Sequence, residues 1–499
     1  YLLTKPEYQT MLKNVWLLDD LPKPISQKLK RLPELDEGID LVAETRNGKF
    51  WAIQCKYKSD RTKALTVKEL STFTNLAFNT CAGHFSQALV AHTSSKPVRK
   101  RKLLGNTTEI GLQRWLETST DLWRLIHAKL QRKPSRPKKR SPRPHQRKAI
   151  NAAKTHFLEQ KQARGKLLMP CGTGKSLTAF WIAQALDAKT TVVVVPSLSL
   201  VKQSIEDWTQ EFVAQNTSPL PQWLCVCSDK SVGDLSKDEF VEDVYDLGLP
   251  VTTDPEEIKQ FLNKRTDAKR IVFVTYQSSP VFAKAARLAK KRINLAILDE
   301  AHKTAGEKSK SFSTLLFDEN LKIQRRMFMT ATERVMRGHH DDVASMDKRD
   351  IYGDCIYHLS FKDAIHSEPA IISDYKILTV FVTQKEIEDA IRDRSFVVDR
   401  KAGIEAEDAR NIATGIALRK SYKKYKIKHA VSFHRSIRGA SDFSELQDRF
   451  NNVKSFGPKI DCFHISSKKT AGQRTELLKD FANSQRSLIT NARCLTEGV

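Results

Sequence analysis

Alternating strand-like and helix-like runs predict an α/β chain built on parallel sheets with crossover helices. Apolar, β-branched runs at 191–195, 271–275, 295–298 and 327–330 are separated by stretches of helical length, the spacing of strand–helix–strand units. A glycine-rich turn, residues 169–176 (Met-Pro-Cys-Gly-Thr-Gly-Lys-Ser), lies between the apolar run 165–168 and the helix-like run 177–183. Further on, strand 295–298 ends in Asp299 and Glu300. A glycine turn that opens a helix and an acidic strand end downstream are the two halves of a phosphate-binding site on such a sheet.

Each residue type in these runs has a chemical reason. Gly172 and Gly174, flanking Thr173, let backbone N–H groups approach phosphates. Lys175 reaches the β- and γ-phosphate oxygens, and the Ser176 hydroxyl can ligate Mg²⁺. Asp299 can hold the same metal, and Glu300 can polarise the attacking water. Met169 departs from the general pattern, which has glycine there. The two motifs together imply hydrolysis of a nucleoside triphosphate, with Lys175 and Asp299 close together at the C-terminal edge of one sheet.

At 499 residues the chain has room for about three domains with substantial cores. Its net charge of +26 and pI near 9.6 point to a polyanionic partner. The excess is local: residues 129–148 carry ten Lys or Arg and no acid, and 96–102 and 419–428 are similar. Eight cysteines are scattered through the chain, and only Cys225 and Cys227 are close, so neither a zinc site nor a disulfide framework is expected. No apolar run approaches 18 residues and no signal peptide is visible, so the chain is expected to be cytoplasmic, without a membrane span. His339-His340 is expected to be a solvated loop. Tyr1 at the start and Val499 at the end lead us to expect cut ends.

The segment 133–144, with prolines at 134, 137, 142 and 144, reads as an extended linker that does not pack. It delimits an N-terminal domain of residues 1–130, a linker of 131–144, and two α/β domains at 145–370 and 371–499, the second incomplete. In the second, strands are expected at 375–382, 430–433 and 487–490, with a charged helical region from 383 to 428.

The N-terminal domain carries a second chemistry. Runs 36–43 and 50–57 alternate like strands and are joined through Asn47-Gly48, a strong hairpin signal. The hairpin brings Asp40 near Gln54 and Lys56, and the last two share a face because they lie two apart on a strand. A carboxylate and a carbonyl can hold Mg²⁺ while an ammonium stabilises a developing oxyanion. Glu7, on a helix expected from Pro6 to Leu18, is a candidate third acid. Run 88–93 is expected as a later core strand, and 114–130 as a closing helix.

In order, the segments after 143 resemble the superfamily 2 helicase and translocase core, in which two RecA-like domains clamp ATP. Arg143-Pro-His-Gln146 resembles the motif that recognises adenine, with Gln146 as the hydrogen-bonding residue. By the same resemblance Pro196 and Ser197, Thr275 and Tyr276, Thr330 and Thr332, Phe433, and Thr490 and Asn491 are DNA-tracking residues. Glu497 and Gly498 lie near the nucleotide, and His302 relays nucleotide state to Thr330 and Thr332. Glu333 stands where the family has proline, a change expected to cost little. The family's arginine finger has no counterpart here; losing such a group slows phosphoryl transfer by about 10³–10⁵, so ATP is expected to bind yet turn over poorly.

Gly38-Ile-Asp40 followed by Gln54-Cys-Lys56 resembles the Mrr-type branch of the PD-(D/E)xK nucleases, in which Gln stands in for the second acid. The whole chain resembles the front half of Type ISP restriction–modification enzymes. That resemblance implies a restriction-endonuclease-like domain, two RecA-like domains, ATP and Mg²⁺ as cofactors, and double-stranded DNA as partner. It also implies a methyltransferase and a target-recognition domain downstream. A stand-alone helicase–nuclease of defence or repair fits the same motifs. A DNA-binding remnant without activity fits less well, because Lys175, Asp299, Glu300, Asp40 and Lys56 are intact.

Overall fold

The computed structural model describes residues 1–29, 32, 38–99, 104–228, 244–307, 311–336, 343–392, 406–451, 457–466, 469 and 471–492. Contacts divide it into two compact units, 1–230 with 242–374, and 375–499 with 231–241. His339, His340, Glu497 and Gly498 lie outside the described residues.

The first unit opens with a five-stranded sheet: β1 (Leu12–Leu17), β2 (Leu41–Thr45), β3 (Phe50–Lys56), β4 (Phe85–His92) and β5 (Thr107–Ile110), in sequence order across the sheet. β1 to β3 are antiparallel, and β3, β4 and β5 run parallel. The β2–β3 turn forms around Asn47-Gly48 as expected, with Gly48 at φ +76 and the Thr45 hydroxyl accepting from the Lys49 N–H at 2.9 Å.

Two helix expectations fail here. The first helix stops at Met11, and residues 12–17 pair with β2 instead; Val15 and Trp16 are better strand than helix formers. The closing helix is two helices, Leu112–Leu116 and Thr120–Leu130. Ser119 separates them as the cap of the second, its hydroxyl accepting from Leu122 N–H.

The same unit holds a seven-stranded, all-parallel sheet. Its strands are β6 (Arg164–Leu168), β7 (Thr190–Val195), β8 (Gln222–Val226), β9 (Arg270–Thr275), β10 (Leu295–Leu298), β12 (Arg326–Thr330) and β14 (Asp354–His358). They lie in the order β14-β6-β12-β10-β7-β9-β8. A short pair, β11 (Gly306–Glu307) with β13 (Val343–Ala344), stands beside it. The second unit contains a three-stranded parallel sheet, β15 (His429–Phe433), β17 (Ser487–Asn491) and β16 (Asp461–Ile465), with β17 central. The strand expected at 375–382 is absent: the segment pairs with no described strand, and Ile377 and Phe381 are more than four-fifths exposed. Without a partner ladder, apolar alternation alone does not make a strand.

The five-stranded sheet uses its two faces differently. Trp51, Ile53, Ala43 and Leu89 belong to an apolar cluster that continues into Ile205, Trp208 and Phe212 of helix Leu198–Ala214. Phe50, Ala52, Ala88 and Val90, on the other face, pack with Leu70, Phe73 and Leu76. The N-terminal domain is thus fastened to the α/β domain through a shared core. Polar contacts close the rim: Tyr8 donates to the Gly248 carbonyl at 2.6 Å, and Trp223 Nε1 to Thr10 Oγ1 at 2.8 Å.

At the centre of this junction Arg114 is 3.1 Å from Glu7 and 2.8 Å from Glu206, and Lys5 reaches both acids. Burial would raise the Glu206 carboxyl, but Arg114, Lys5 and Lys202 hold it down to about 2. The linker is extended as expected, yet it packs: Arg140 meets Asp207 at 2.9 Å and Gln210 at 3.1 Å on the same helix. Fixed guanidinium geometry gives a proline-rich strand an anchor that its prolines cannot supply.

Arg114→Ala should destabilise the first unit by about 3 kcal/mol, because it leaves the buried Glu7 carboxylate with Lys5 in place of two cations and removes the bridge to Glu206. Calorimetry on the parent should show the endonuclease-like and α/β parts melting in one transition. Glu206 has a depressed pKa, so its contribution is complete at neutral pH and is lost as pH falls from about 4.5 toward 2.

Candidate functional sites

The phosphate loop, residues 169–174, forms because β6 ends at Leu168 and the helix Lys175–Ala185 begins after it. Gly172 and Gly174 sit at φ +80 and +81, left-handed values that L-residues adopt only with strain. Thr173 is buried, its hydroxyl donating to the Pro170 carbonyl at 2.7 Å. Gln146 accepts from the Arg143 N–H at 2.8 Å and donates to the Gly174 carbonyl at 3.2 Å. His145 Nε2 lies 3.0 Å from the Thr173 carbonyl. Residues 143–146 therefore brace the loop from behind.

Two strands away β10 delivers Asp299 and Glu300, and Lys175 Nζ stands 3.6 Å from the Glu300 carboxylate. Lys175 and the acidic pair thus meet at the C-terminal edge of one parallel sheet, as expected. Glu300 is at φ +47, a strained conformation for a non-glycine residue and one found where function demands it. Burial, then the adjacent Glu300 charge, push the Asp299 carboxyl up to about 6. Burial would also raise Glu300, but the His302 hydrogen bond and Lys175 outweigh it and leave it below the ordinary value. The Ser176 hydroxyl oxygen is buried without a hydrogen-bond partner. An orphaned hydroxyl next in sequence to Lys175, which meets Glu300, is an oxygen ligand of the kind Mg²⁺ takes.

His302 Nδ1 lies 3.1 Å from Thr330 Oγ1 and 3.4 Å from Glu300. Thr330 in turn donates to the Thr332 carbonyl at 2.9 Å. A polar chain therefore runs from Lys175 through Glu300 and His302 to the threonine loop.

Several residues expected to track DNA are engaged internally. Tyr276 is buried, donates to the Asp299 carbonyl at 2.8 Å and stacks on Phe312 at 5.1 Å. Its side chain holds the acidic strand end. Thr275, Thr330, Thr490 and Asn491 are also buried; their partners are Ser278, His302, His464 and the Ser432 carbonyl. Pro196 is buried too. Ser197 caps helix Leu198–Ala214, accepting from the Leu200 N–H at 3.4 Å. Only Thr332 and Phe433 of this set are well exposed.

The second candidate site lies on the five-stranded sheet. The β2–β3 register pairs Leu41 with Ile53, so one step further sets Asp40 opposite Gln54, with Lys56 two residues on. The Asp40 carboxylate accepts from the Cys55 N–H, between the other two. Gln54 is buried and its Oε1 has no partner. An unpaired carbonyl oxygen beside a carboxylate fits a divalent cation. By strand parity Gln54 and Lys56 share the Ala52 face, opposite the face docked on the α/β domain. Glu7 does not join them: it is buried between Lys5 and Arg114, which claim both its charge and its position. Among the described residues no three His, Cys, Asp or Glu cluster as a metal site.

Residues 3–120 match the family model described as a restriction endonuclease, and residues 139–334 that of the res subunit of Type III restriction enzymes. The chain thus carries a stretch similar to restriction endonucleases ahead of one similar to the res subunit of Type III restriction enzymes. Over 222 residues it is 27% identical to a probable helicase of African swine fever virus, covering 44% of this chain and 22% of that protein. The DNA-bound, ATP-dependent Type ISP restriction–modification enzyme LlaBIII matches over 100% of this chain, with TM-score 0.74 and 23% identity. That likeness establishes the fold. A nuclease-deletion mutant of the Type ISP enzyme LlaGI, in complex with a DNA substrate mimic, matches over 70% of this chain and 24% of its own, at 24% identity and TM-score 0.47. The chain spans 33% of the LlaBIII chain. No helix of the described residues is long and apolar enough to cross a membrane.

Sequence reasoning missed three groups of functional interest: the Tyr276 clamp on Asp299, the Arg114 network, and an ion pair between Lys166 and Glu333. The last had a visible signal, a lysine at the centre of a short strand, next to Leu167 and Leu168.

Asp299→Asn should abolish nucleotide hydrolysis yet stabilise the nucleotide-free protein at pH 8. Its pKa is raised from 3.8 to about 6, so the folded state binds more protons between those values and loses stability as pH rises through them. Removing the charge should return about 1–3 kcal/mol at pH 8, and the gain should vanish near pH 4. Denaturant titrations at both pH values check this.

Proposed function

We propose that this chain is the nuclease and motor part of an ATP-driven double-stranded DNA translocase that cuts DNA, of the Type ISP restriction–modification kind. One observation carries the reading: a phosphate loop facing an acidic strand end shares a compact unit with the Asp40, Gln54 and Lys56 edge. We assign residues 1–130 to the nuclease, 131–144 to the linker, 145–370 to the first RecA-like domain and 371–499 to part of the second. A methyltransferase and a target-recognition domain downstream complete the proposal.

In the motor, Gln146 reads adenine, while Lys175 and the N–H groups of residues 172–176 carry phosphate charge. Ser176 and Asp299 would hold Mg²⁺, which would supply charge to offset that of the phosphates. Glu300, kept ionised by the His302 hydrogen bond and Lys175, polarises and orients the attacking water. His302 passes the state of Glu300 to Thr330. In the nuclease, Asp40 and the Gln54 carbonyl would hold a second Mg²⁺, whose chemistry there would be to lower the pKa of water. Lys56 stabilises the charge that develops on the scissile phosphate. In the first unit Ser197, Thr332 and the basic linker contact the DNA backbone, and in the second unit Phe433 does; backbone contacts require no sequence preference.

Asp40→Ala and Lys56→Ala in the full-length protein should each reduce DNA cleavage by about 10³-fold or more, with ATPase activity kept. Parent-rate cutting by Lys56→Ala during active ATP hydrolysis would refute the nuclease assignment. DNA binding by this chain should weaken with salt at a log–log slope near −5, as for about six neutralised phosphates. Fluorescence titrations at several salt concentrations measure it, and a flat response would contradict the proposal.

A further inference from the structure

The loop that follows the threonines is tied at its base to the phosphate-loop strand. Lys166 lies in β6, between Phe328 of β12 and Cys355 of β14. Its side chain is nine-tenths buried, and its ammonium meets Glu333 at 2.6 Å and the Met346 carbonyl at 2.9 Å. A lysine inside a sheet is costly to bury, and both contacts are needed to offset its lost hydration. Lys166 shares a sheet face with Leu168, and their register partners are Phe328 and Thr330. The ammonium therefore emerges on the face that carries Thr330 and His302.

The two legs of the loop are also tied to each other. Arg334 N–H donates to the Met346 sulfur at 3.4 Å, and Met336 N–H to Ser345 Oγ at 2.9 Å. Residues 343–344 pair with Gly306–Glu307, just beyond the His302 turn. One ammonium thus joins the strand feeding the phosphate loop to both legs of a loop that also contacts the nucleotide relay. Glu333 is one residue from Thr332, whose carbonyl accepts from Thr330.

We propose that the Lys166–Glu333 ion pair positions the threonine loop against the phosphate-loop strand and so sets how strongly DNA accelerates ATP turnover. Glu333 is a positioning residue, with no contact to nucleotide in this role. The inference rests on the motor function proposed above. In place of the family's proline, a rigid bend has become a charge-held one, whose geometry depends on Lys166.

The test is steady-state ATPase of the full-length protein with and without duplex DNA. Glu333→Ala should lower the DNA-stimulated kcat by about 3- to 30-fold, leaving the DNA-free rate and the KM for ATP unchanged. Glu333→Asp should restore part of the stimulation. The double variant Lys166→Met with Glu333→Met removes the buried charge as well as its partner, so it should regain thermal stability but not DNA stimulation. Recovery of stimulation together with stability would show a merely structural pair and overturn the inference. So would a Glu333→Ala protein stimulated like the parent, or one whose stimulated and DNA-free rates fall equally. A parent whose ATPase ignores DNA would overturn the motor function itself, and this inference with it.

Discussion

A carboxylate buried at a strand end governs the motor half of this molecule. Asp299 has so little water around it, and so close an acidic neighbour, that its proton stays on up to about pH 6. Only a nearby cation makes its charge tolerable at neutral pH. The surrounding structure follows from that need. Lys175 is brought across from β6, Tyr276 grips the Asp299 carbonyl, and Glu300 is twisted to positive φ so that its carboxylate faces Lys175 and His302. The unpartnered Ser176 hydroxyl completes a site that Mg²⁺ and phosphate would satisfy together.

The endonuclease domain meets a different constraint. Its five-stranded sheet has two apolar faces, and they are covered by different partners. Its Trp51 and Ile53 face is buried against helix Leu198–Ala214, and the opposite face keeps Gln54 and Lys56 at its edge. Docking and candidate chemistry are therefore separated by strand parity, not by the linker. Ser197, the cap of the docking helix, was expected to track DNA, so the endonuclease rides on an element that the motor proposal places against the duplex.

Much of this was legible in the sequence. Strong local signals carried it: Asn47-Gly48 for the hairpin, glycine and lysine for the phosphate loop, and four apolar residues before Asp299 for β10. What failed depended on long-range partners. Residues 12–17 read as helix until β2 supplies a ladder, whereas 375–382 read as strand and find none among the described residues. Glu7 looked like a third acid because nothing local reveals Arg114, more than a hundred residues away, or Glu206 beyond it. Tyr276 matched a DNA-tracking position, yet burial turned it inward; motif position fixes the backbone but not which way a side chain is spent.

ATP hydrolysis at the Lys175 site is proposed to drive cutting at the Asp40 site. The direct measurement is DNA cleavage by the full-length protein carrying Lys175→Ala, with every endonuclease residue intact. The account predicts no ATP-dependent cleavage, with DNA binding retained and the Asp40 site unaltered. Cleavage at the parent rate by this variant would contradict it and leave the two chemistries as neighbours without a mechanical link.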